Sequence, residues 1–235
     1  MDKDTKINVE EMAQAGVNFG HKVSSLHPKM KLYVSGIKNN VNIIDLEKTA
    51  KEFEKALKFI STLIQDGKTI LFVGTKIQMR VIVKEAAEAC EMPYVVERWL
   101  GGTFTNLETI LKRVEYFKDL EKKKATGELE KYTKKERIKF DKEMEKLRIK
   151  FEGIKNMTKL PEAILLFDLK KDEICAREAK RKGVKIIAIT DTNVNPDIAD
   201  YLIPANDDAI SSVKYILEKV SETIKNSKSL ENLRK

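Results

Sequence analysis

Short apolar segments of strand length, separated by amphipathic segments, constrain the fold of this chain more than any other feature. Residues 69–73, 163–167 and 184–189 are almost entirely apolar. Continuous apolar strands are typical of a parallel sheet that helices cover on both faces. Two further segments, 41–46 and 94–96, also predict strands, and residues 201–203 predict a short edge strand.

Amphipathic helices alternate with these strands. The apolar residues of 49–65 recur at spacings of three and four, which predicts a helix with one buried face. They are Ala50, Phe53, Leu57, Ile60 and Ile64. Similar patterns predict helices over 79–90 and 173–182. Repeated strand–helix units indicate the α/β class, with a doubly wound parallel sheet and right-handed crossovers.

The closing helix is predicted over 207–224, with Asp207 or Asp208 as its N-cap, because an aspartate oxygen accepts hydrogen bonds from the first free amides of a helix. The polar residues after Lys225 predict a frayed tail.

The strand–helix alternation is interrupted between residues 107 and 155. Apolar residues at helical spacing predict one helix from Leu107 to Leu120, and a turn around Gly127 follows. Thr133 and Glu136 match the capping-box pattern at the start of a second helix. Its apolar residues have heptad spacing, which is typical of a coiled coil. They are Phe140, Met144, Leu147, Phe151 and Ile154. We therefore predict a globular α/β domain over 1–106 and 156–235, with a protruding antiparallel helical hairpin, a coiled coil, over 107–155.

The positive charge is concentrated on this insertion. The chain has 45 Lys and Arg against 37 Asp and Glu, a formal net charge of +8. Residues 118–159 alone contain 15 basic and 9 acidic residues. A basic arm on a nearly neutral body favours a polyanionic partner such as nucleic acid. A lysine-rich helix that simply faces water remains an equal alternative.

Cysteine content and hydropathy exclude several classes of protein. Cys90 and Cys175 are too few for a disulfide framework or a metal knuckle, and buried free thiols fit their apolar surroundings, as expected in a reducing compartment. The sequence has no run of ~18 apolar residues, so it predicts no membrane-spanning helix. Residues 1–4 are acidic and do not resemble a secretory signal.

Catalytic and cofactor signals are weak. Gly74, Thr75 and Lys76 follow a predicted strand and could cradle an anion at a helix start, but they match neither a dinucleotide fingerprint nor a P-loop. A turn glycine explains Gly74 more simply. We therefore predict no enzyme, no cofactor and no small-molecule substrate, and keep a nucleotide-binding α/β enzyme or switch as the alternative function.

A metal site is also weakly indicated. His21 and His27 are six residues apart, which is not the spacing of a helical zinc pair. Four aspartates, Asp191, Asp197, Asp207 and Asp208, could gather at a sheet edge and hold a cation with His21. Capping and turn roles explain these carboxylates more simply, so we predict no metal.

Three features are more typical of a binding surface. Residues 21–31 carry three lysines and two histidines without an acidic residue. Residues 98–106 contain paired glycines flanked by possible phosphate or sugar donors, namely Arg98, Thr103 and Asn106. Trp99 fits packing better than base stacking. Lys76 and Arg80, one turn apart at a helix start, could face phosphate together.

Several motifs, in this order along the chain, resemble the bacterial small-subunit ribosomal protein two, the universal S-two family. They are Gly20-His21, His27-Pro28-Lys29-Met30-Lys31, Ile43 to Thr49, Phe72 to Lys76, Arg98 to Gly102, Gly153-Ile154-Lys155, Leu160-Pro161 and Asp191-Thr192-Asn193. The resemblance runs from about residue 8 to about residue 220 and includes the helical insertion. It implies a flavodoxin-like sheet with a protruding coiled-coil hairpin.

The resemblance also implies a function. It implies a structural constituent of the small ribosomal subunit, placed between head and body in a cytoplasmic ribosome. The implied partners are small-subunit ribosomal RNA and neighbouring ribosomal proteins, including S-one, whose attachment supports translation initiation. A metal near His21 and Asp191 is possible by resemblance, but we do not predict it. Together, the charge pattern and the resemblance predict these RNA-binding residues: His21, His27, Lys29, Lys31, Lys76, Arg80, Arg98, Thr103 and Asn106.

Overall fold

The structure, a computed structural model, describes residues 7–234, with side chains as far as residue 229. The prediction about residues 1–4 therefore falls outside the described residues. The helices are α1 Val9–Gln14, α2 Leu46–Gln65, α3 Arg80–Ala89, α4 Leu107–Ala125, α5 Lys134–Phe151, α6 Glu173–Lys182 and α7 Ile210–Arg234. The strands are β1 Phe19–Lys22, β2 Val34–Lys38, β3 Val41–Ile44, β4 Ile70–Val73, β5 Tyr94–Val95, β6 Ala163–Leu166, β7 Lys185–Thr190 and β8 Tyr201–Pro204.

A five-stranded parallel sheet forms the centre of the molecule, in the order β5-β4-β6-β7-β8. One row across it pairs Phe72 with Tyr94 and with Leu165, then Leu165 with Ile187, and Ile187 with Tyr201. The sequence predicted these strands because each is continuously apolar. The predicted α/β class and parallel sheet are confirmed, and the arrangement is consistent with a flavodoxin-like fold.

Helices bury both faces of this sheet. Alternate residues of β4 show the two sides: Phe72 packs in a core with residues of α2, α3 and α7, whereas Leu71 packs in a second core with residues of α4, α5 and α6. All four residues of β4 and of β6 are buried. Two covered faces explain why these strands lack the polar alternation of a half-exposed sheet.

A separate antiparallel sheet, in the order β1-β3-β2, precedes the parallel one. Residues 41–46 were predicted as a strand alongside the parallel strands, and in this respect the prediction was wrong. β3 is a strand, but it pairs with two neighbours that are partly exposed and polar. Those neighbours, β1 and β2, have too little hydrophobic pattern to be recognised from the sequence.

Helices α4 and α5 follow β5 and are joined through a short 3₁₀ turn, Glu128–Lys131. The predicted capping box is present, because the Thr133 hydroxyl accepts from the Glu136 amide while the Glu136 carboxylate accepts from the Thr133 amide. Lys124 pairs with Asp141 at 2.6 Å and Glu121 with Arg148 at 3.5 Å. The reversed order of these two pairs means that the helices run in opposite directions where they meet.

The closing helix differs from its prediction at both ends. α7 begins at Ile210, and the Asn206 side chain, not an aspartate, accepts from the amides of Asp208 and Ala209. This leaves the carboxylates of Asp207 and Asp208 for other contacts. The helix continues to Arg234, well beyond its predicted end at Ile224. The Ser227 hydroxyl lies 2.9 Å from that of Ser61 on α2 and helps to explain the extension.

Two smaller predictions concern thiols and membranes. Cys90 and Cys175 are both buried free thiols, as predicted. Among residues 7–234, no helix is both long and apolar enough to cross a membrane.

Candidate nucleic-acid interface

A charged cluster lies at the carboxyl end of the parallel sheet. Lys76 follows β4, Asp168 follows β6, and Asp207 follows β8, so the parallel topology brings them to one edge. The Lys76 ammonium lies 3.1 Å from Asp207, 3.3 Å from Asp168 and 2.6 Å from Asp208. Its side chain is only 15% exposed. Lys76 is therefore held by three carboxylates.

The pKa values of this cluster reflect burial and mutual charge. Burial, with the charges of Asp168 and Asp191, raises the pKa of Asp207 to about 7, although Lys76 opposes the shift. Burial acts to lower the pKa of Lys76, but the hydrogen bond to Asp208 and the charges of Asp207 and Asp168 outweigh it, so this pKa is raised. The hydrogen bond from Lys76 lowers the pKa of Asp208. Lys76 is thus firmly cationic.

His21 connects the small sheet to this cluster. Its Nδ1 lies 3.1 Å from Asp191 and its Nε2 lies 3.4 Å from Asp208. Its backbone amide donates to the Thr192 hydroxyl at 2.9 Å. The hydrogen bond with Asp191 raises the pKa of His21, against an opposing effect of burial. The imidazole therefore joins β1 to the loop after β7.

Ligand atoms of His21, Asp191 and Asp207 lie within 4.8 Å of one another, close enough for all three to reach one metal ion. Among the described residues this is the one group of three or more His, Cys, Asp or Glu side chains so placed. A second observation opposes the fit: the Lys76 ammonium already lies 3.1 Å from Asp207 and would repel a cation there. We derive no function from a metal at this site. Of the predicted aspartates, Asp197 is elsewhere, paired with Lys29.

The same cluster argues against the alternative nucleotide site. A Cβ on Gly74 would meet the Val83 side chain at 2.9 Å and Phe167 at 3.2 Å, so this glycine serves close packing. The Thr75 hydroxyl donates to the buried Asp172 carboxylate at 2.9 Å. A phosphate at this turn would face carboxylates in place of free amides, which is electrostatically unfavourable.

Residues 21–31 were interpreted as a basic loop without compensating acids. The structure corrects this in two ways. The segment is the end of β1 followed by two short 3₁₀ helices, Val23–Ser25 and Pro28–Tyr33. Distant acids also compensate it, because Asp191 and Asp208 contact His21 and Asp197 pairs with Lys29.

The two other predicted residues of this segment have different roles. His27 caps the second 3₁₀ helix, since its Nδ1 accepts from the Lys29 amide at 3.3 Å, and its own amide donates to the Thr192 carbonyl at 2.8 Å. Lys31 is exposed and has no carboxylate at ion-pair distance among residues whose side chains are described. Lys31 therefore remains available to a partner, as does Lys22, which is likewise exposed and unpaired among the described side chains.

Glu178 of α6 organises the predicted loop 98–106. Its carboxylate accepts from the amides of Gly102 at 2.7 Å, Phe104 at 3.0 Å and Thr105 at 3.1 Å. It also accepts from the Trp99 indole at 3.2 Å. The loop thus forms an anion-binding turn, and the anion that it binds is the Glu178 carboxylate of the same chain. These amides are not free to bind phosphate.

The remaining predicted residues divide into internal and exposed groups. Thr103 is buried and its hydroxyl donates to the Leu100 carbonyl at 2.6 Å. Asn106 precedes α4 and accepts from the Thr109 hydroxyl. Arg80 binds Glu97 and the Thr75 carbonyl, so it does not point with Lys76 as predicted. Arg98 is exposed, with no carboxylate at ion-pair distance in the described part of the chain.

Trp99 is a packing residue, as predicted. It is buried and meets Phe104 edge-on, with ring centroids 5.0 Å apart. The sequence analysis missed Glu178, Asp168 and Asp172. Asp168 could have been found, because it follows a predicted buried strand at the edge where Lys76 also lies. Glu178 gave no local signal, since its partners are more than seventy residues away in sequence.

The chain thus combines a parallel α/β sheet, a sheet edge whose charges are paired internally, and a basic insertion. The model of the family described as ribosomal protein S2 matches residues 12–227, and the chain belongs to that family. It is a family of structural ribosomal proteins, which confirms the prediction that the chain is not an enzyme.

Individual relatives agree over nearly the whole chain. The small ribosomal subunit protein uS2 of Chlorobaculum tepidum is 45% identical over 227 residues, 97% of this chain and 91% of the relative. The protein of the same name from Geotalea uraniireducens is 43% identical, covering 94% of this chain and 86% of the relative. That of Tolumonas auensis is 44% identical, covering 96% and 93%.

Proposed function

We propose that this chain is a structural constituent of the small subunit of a cytoplasmic ribosome, where it binds ribosomal RNA between head and body. The observation that carries the proposal is the family match over residues 12–227, which includes the basic insertion. We further propose that it contacts neighbouring ribosomal proteins and supports the attachment of ribosomal protein S-one during translation initiation.

The electrostatic arrangement supports contact with RNA through exposed cations. Lys31 and Arg98 are exposed and unpaired within the described residues, whereas Lys76 is enclosed by carboxylates. Phosphate contacts position a protein on nucleic acid without a deep pocket. Among the predicted residues, Lys31 and Arg98 are therefore the first candidates for direct RNA contact. His21 and Lys76 support the surface by fixing the edge of the sheet.

The second part of the proposal concerns α4 and α5. We propose that residues 107–155 form an antiparallel hairpin, a coiled coil that protrudes from the body at 1–106 and 156–235. The two interhelical ion pairs support this interpretation, and so do the buried residues Leu120, Leu129 and Met144, which lie outside both cores of the body. Val114, Phe117 and Phe151 pack in the second core, so they mark where the hairpin joins the body. A chain in which residues 118–148 are replaced by a short glycine-serine turn should still unfold cooperatively. A non-cooperative transition would indicate that the insertion is part of the body.

RNA binding is tested with full-length protein and small-subunit ribosomal RNA over a series of salt concentrations. Each phosphate contact contributes about −0.7 to −0.9 to the slope of log affinity against log salt. A Lys31→Ala, Arg98→Ala variant should reduce the steepness by ~1.5 on that basis. The control is Lys58→Ala, Lys225→Ala, which removes two exposed lysines from α2 and α7. Absence of salt-dependent binding by the natural protein would overturn the proposal.

The role in S-one attachment has its own test. Small subunits lacking this chain are compared with subunits to which the purified protein has been added back. S-one should remain with the subunits through a sucrose gradient when the chain is present and be reduced when it is absent. Equal amounts of S-one on the subunits in both samples would contradict this part of the proposal. The proposed RNA binding does not depend on that result.

A further inference from the structure

Helix α5 carries five lysines along one face. Their spacings of four, three, four and four residues place them within one stripe, since a helix turns once every 3.6 residues. They are Lys135, Lys139, Lys142, Lys146 and Lys150, and we name them the α5 lysine stripe. At 1.5 Å per residue the stripe extends over ~22 Å.

All five lysines are exposed, and none has a carboxylate at ion-pair distance among the described side chains. The buried residues of α5, Met144 and Phe151, lie on the opposite side of the helix. The stripe therefore faces away from the interior of the protein and from α4.

Helix α5 has four acidic residues, and none of them pairs with a stripe lysine among the described side chains; Glu143, one turn from Lys139, faces the Tyr116 hydroxyl of α4. Glu136 is held in the capping box with Thr133, and Asp141 pairs with Lys124 of α4. Glu145 lies 4.0 Å from Arg148, which also contacts Glu121. The stripe lysines therefore have no ion-pair partner, whereas Lys76 of the charged cluster and Lys124 of the α4–α5 contact are compensated.

We propose that the α5 lysine stripe binds the phosphate backbone of an RNA strand or helix groove that runs along α5. A row of flexible ammonium groups at intervals of about one helical turn contacts successive phosphates without reading bases. Because no stripe lysine is in an ion pair among the described side chains, binding of a phosphate does not require an internal ion pair to be broken. The inference rests on the proposed RNA-binding function. It assigns to that function one face of the basic insertion, a surface that contains none of the nine RNA-binding residues predicted individually from the sequence.

The test measures binding of full-length protein to small-subunit ribosomal RNA as a function of salt. The variant is Lys139→Gln, Lys142→Gln, Lys146→Gln. The matched control is Lys51→Gln, Lys58→Gln, Lys225→Gln, which removes three exposed lysines from helices on the opposite face of the sheet. Unchanged helical circular dichroism and melting temperature verify folding in both variants.

The stripe variant should lose about tenfold in affinity at moderate salt and reduce the steepness of the salt dependence by ~2, while the control matches the natural protein. If both variants bound RNA as strongly as the natural protein and with the same salt dependence, the proposal for the α5 lysine stripe would be wrong. The proposed function would not be affected by that result. Loss of RNA binding by the natural protein itself would overturn both.

A second measurement separates RNA from an acidic protein partner. The stripe lysines should be protected from acetylation in assembled small subunits and become reactive after ribonuclease treatment. Protection that persists after the RNA is digested would assign the stripe to a protein contact and overturn the proposal.

Discussion

The Glu178 carboxylate lies 2.7 Å from the backbone nitrogen of Gly102, although the two residues are 76 positions apart in sequence. The same carboxylate accepts hydrogen bonds from Trp99, Phe104 and Thr105. These bonds outweigh the opposing effect of burial and lower the pKa of Glu178. One side chain of α6 therefore fixes the loop from which α4 departs, and the stability of that loop depends on its charge.

The first prediction follows from this arrangement. Glu178→Gln replaces one acceptor oxygen with an amide that can only donate, so loop donors lose their partner in a buried site. We expect the free energy of unfolding to fall by ~2 kcal/mol, the usual cost of unsatisfied buried polar groups. Urea unfolding followed by Trp99 fluorescence measures it directly, because Trp99 is the only tryptophan and donates to Glu178.

Glu173→Gln is the matched control for this prediction. Glu173 is exposed on the same helix and, among the described side chains, pairs with Arg177 one turn away. Such pairs contribute ~0.5 kcal/mol at most. Equal losses of stability in the two variants would contradict the role assigned to Glu178.

The second prediction concerns the return from α5 to the body. A Cβ on Gly153 would clash with the Tyr94 carbonyl oxygen and lie 2.5 Å from the Tyr94 ring. A backbone oxygen of a sheet strand cannot move aside as a flexible side chain does. Gly153→Ala should therefore reduce the free energy of unfolding by about 2–3 kcal/mol, in the upper part of the range for overpacking. Differential scanning calorimetry provides the measurement.

Gly101→Ala provides the comparison for Gly153. Apart from its two chain neighbours, no described residue has an atom within 4 Å of a Cβ at Gly101, and the φ of Gly101 is not positive. This variant should change the melting temperature little or raise it slightly. If Gly153→Ala were equally well tolerated, the close contact between the end of α5 and β5 would not be present in solution.

The sequence predicted well those elements whose signal is local. Buried strands such as Ile70–Val73 and Ala163–Leu166 are continuously apolar, and α6 ends at Gly183, whose φ of 71° suits glycine. The small antiparallel sheet was missed because β1 and β2 are partly exposed and polar. Their position depends on pairing with β3, which local periodicity does not reveal.

The candidate site was less predictable than the fold, for a related reason. Single residues such as Lys76 and Arg98 look equivalent in sequence, but Lys76 is neutralised by acids that follow other strands and Arg98 is not. Whether a cation is free depends on distant carboxylates. The spacing of the α5 lysines is local information, but their freedom from ion pairs becomes evident only in the structure.

The third prediction tests the charged cluster. Lys76→Met leaves Asp168, Asp207 and Asp208 without their shared cation, and loss of one partner of a buried pair costs ~3 kcal/mol. Because burial raises the pKa of Asp207 to about 7, above its unfolded value of 3.8, protonation relieves the penalty as pH falls. Urea unfolding should therefore show a larger loss at pH 8 than at pH 5.

Adding Asp207→Asn to Lys76→Met should recover part of the lost stability and remove most of this pH dependence. The control is Lys84→Met, an exposed lysine with one long ion pair to Glu88 at 3.8 Å. A loss that is the same at both pH values would contradict the assignment of Lys76 as the counter-ion of Asp207.

The fourth prediction concerns the pH dependence of the contact between the small sheet and the parallel sheet. The hydrogen bond with Asp191 raises the pKa of His21 above 6.5. Asp207, Asp208 and Lys76 of the charged cluster also lie near the His21 imidazole. A basic group whose pKa is higher in the folded than in the unfolded state contributes most to the free energy of unfolding below its unfolded-state pKa. This contribution is lost as the pH rises through the folded-state pKa. The natural protein should therefore exceed His21→Gln in stability by ~1 kcal/mol at pH 5.5, the range of a partly exposed ion pair.

That difference should shrink above pH 8. Asp207 titrates in the same range, so the informative quantity is the difference between variants at each pH and not the stability of one variant alone. Lys38→Gln on β2 is the control, because Lys38 is exposed and has no carboxylate at ion-pair distance among the described side chains. Its effect on urea unfolding should show no comparable trend with pH. A His21→Gln difference that stays constant from pH 5.5 to 8.5 would mean that the imidazole joins the two sheets as a neutral hydrogen-bonding group, without the ion pairs to Asp191 and Asp208.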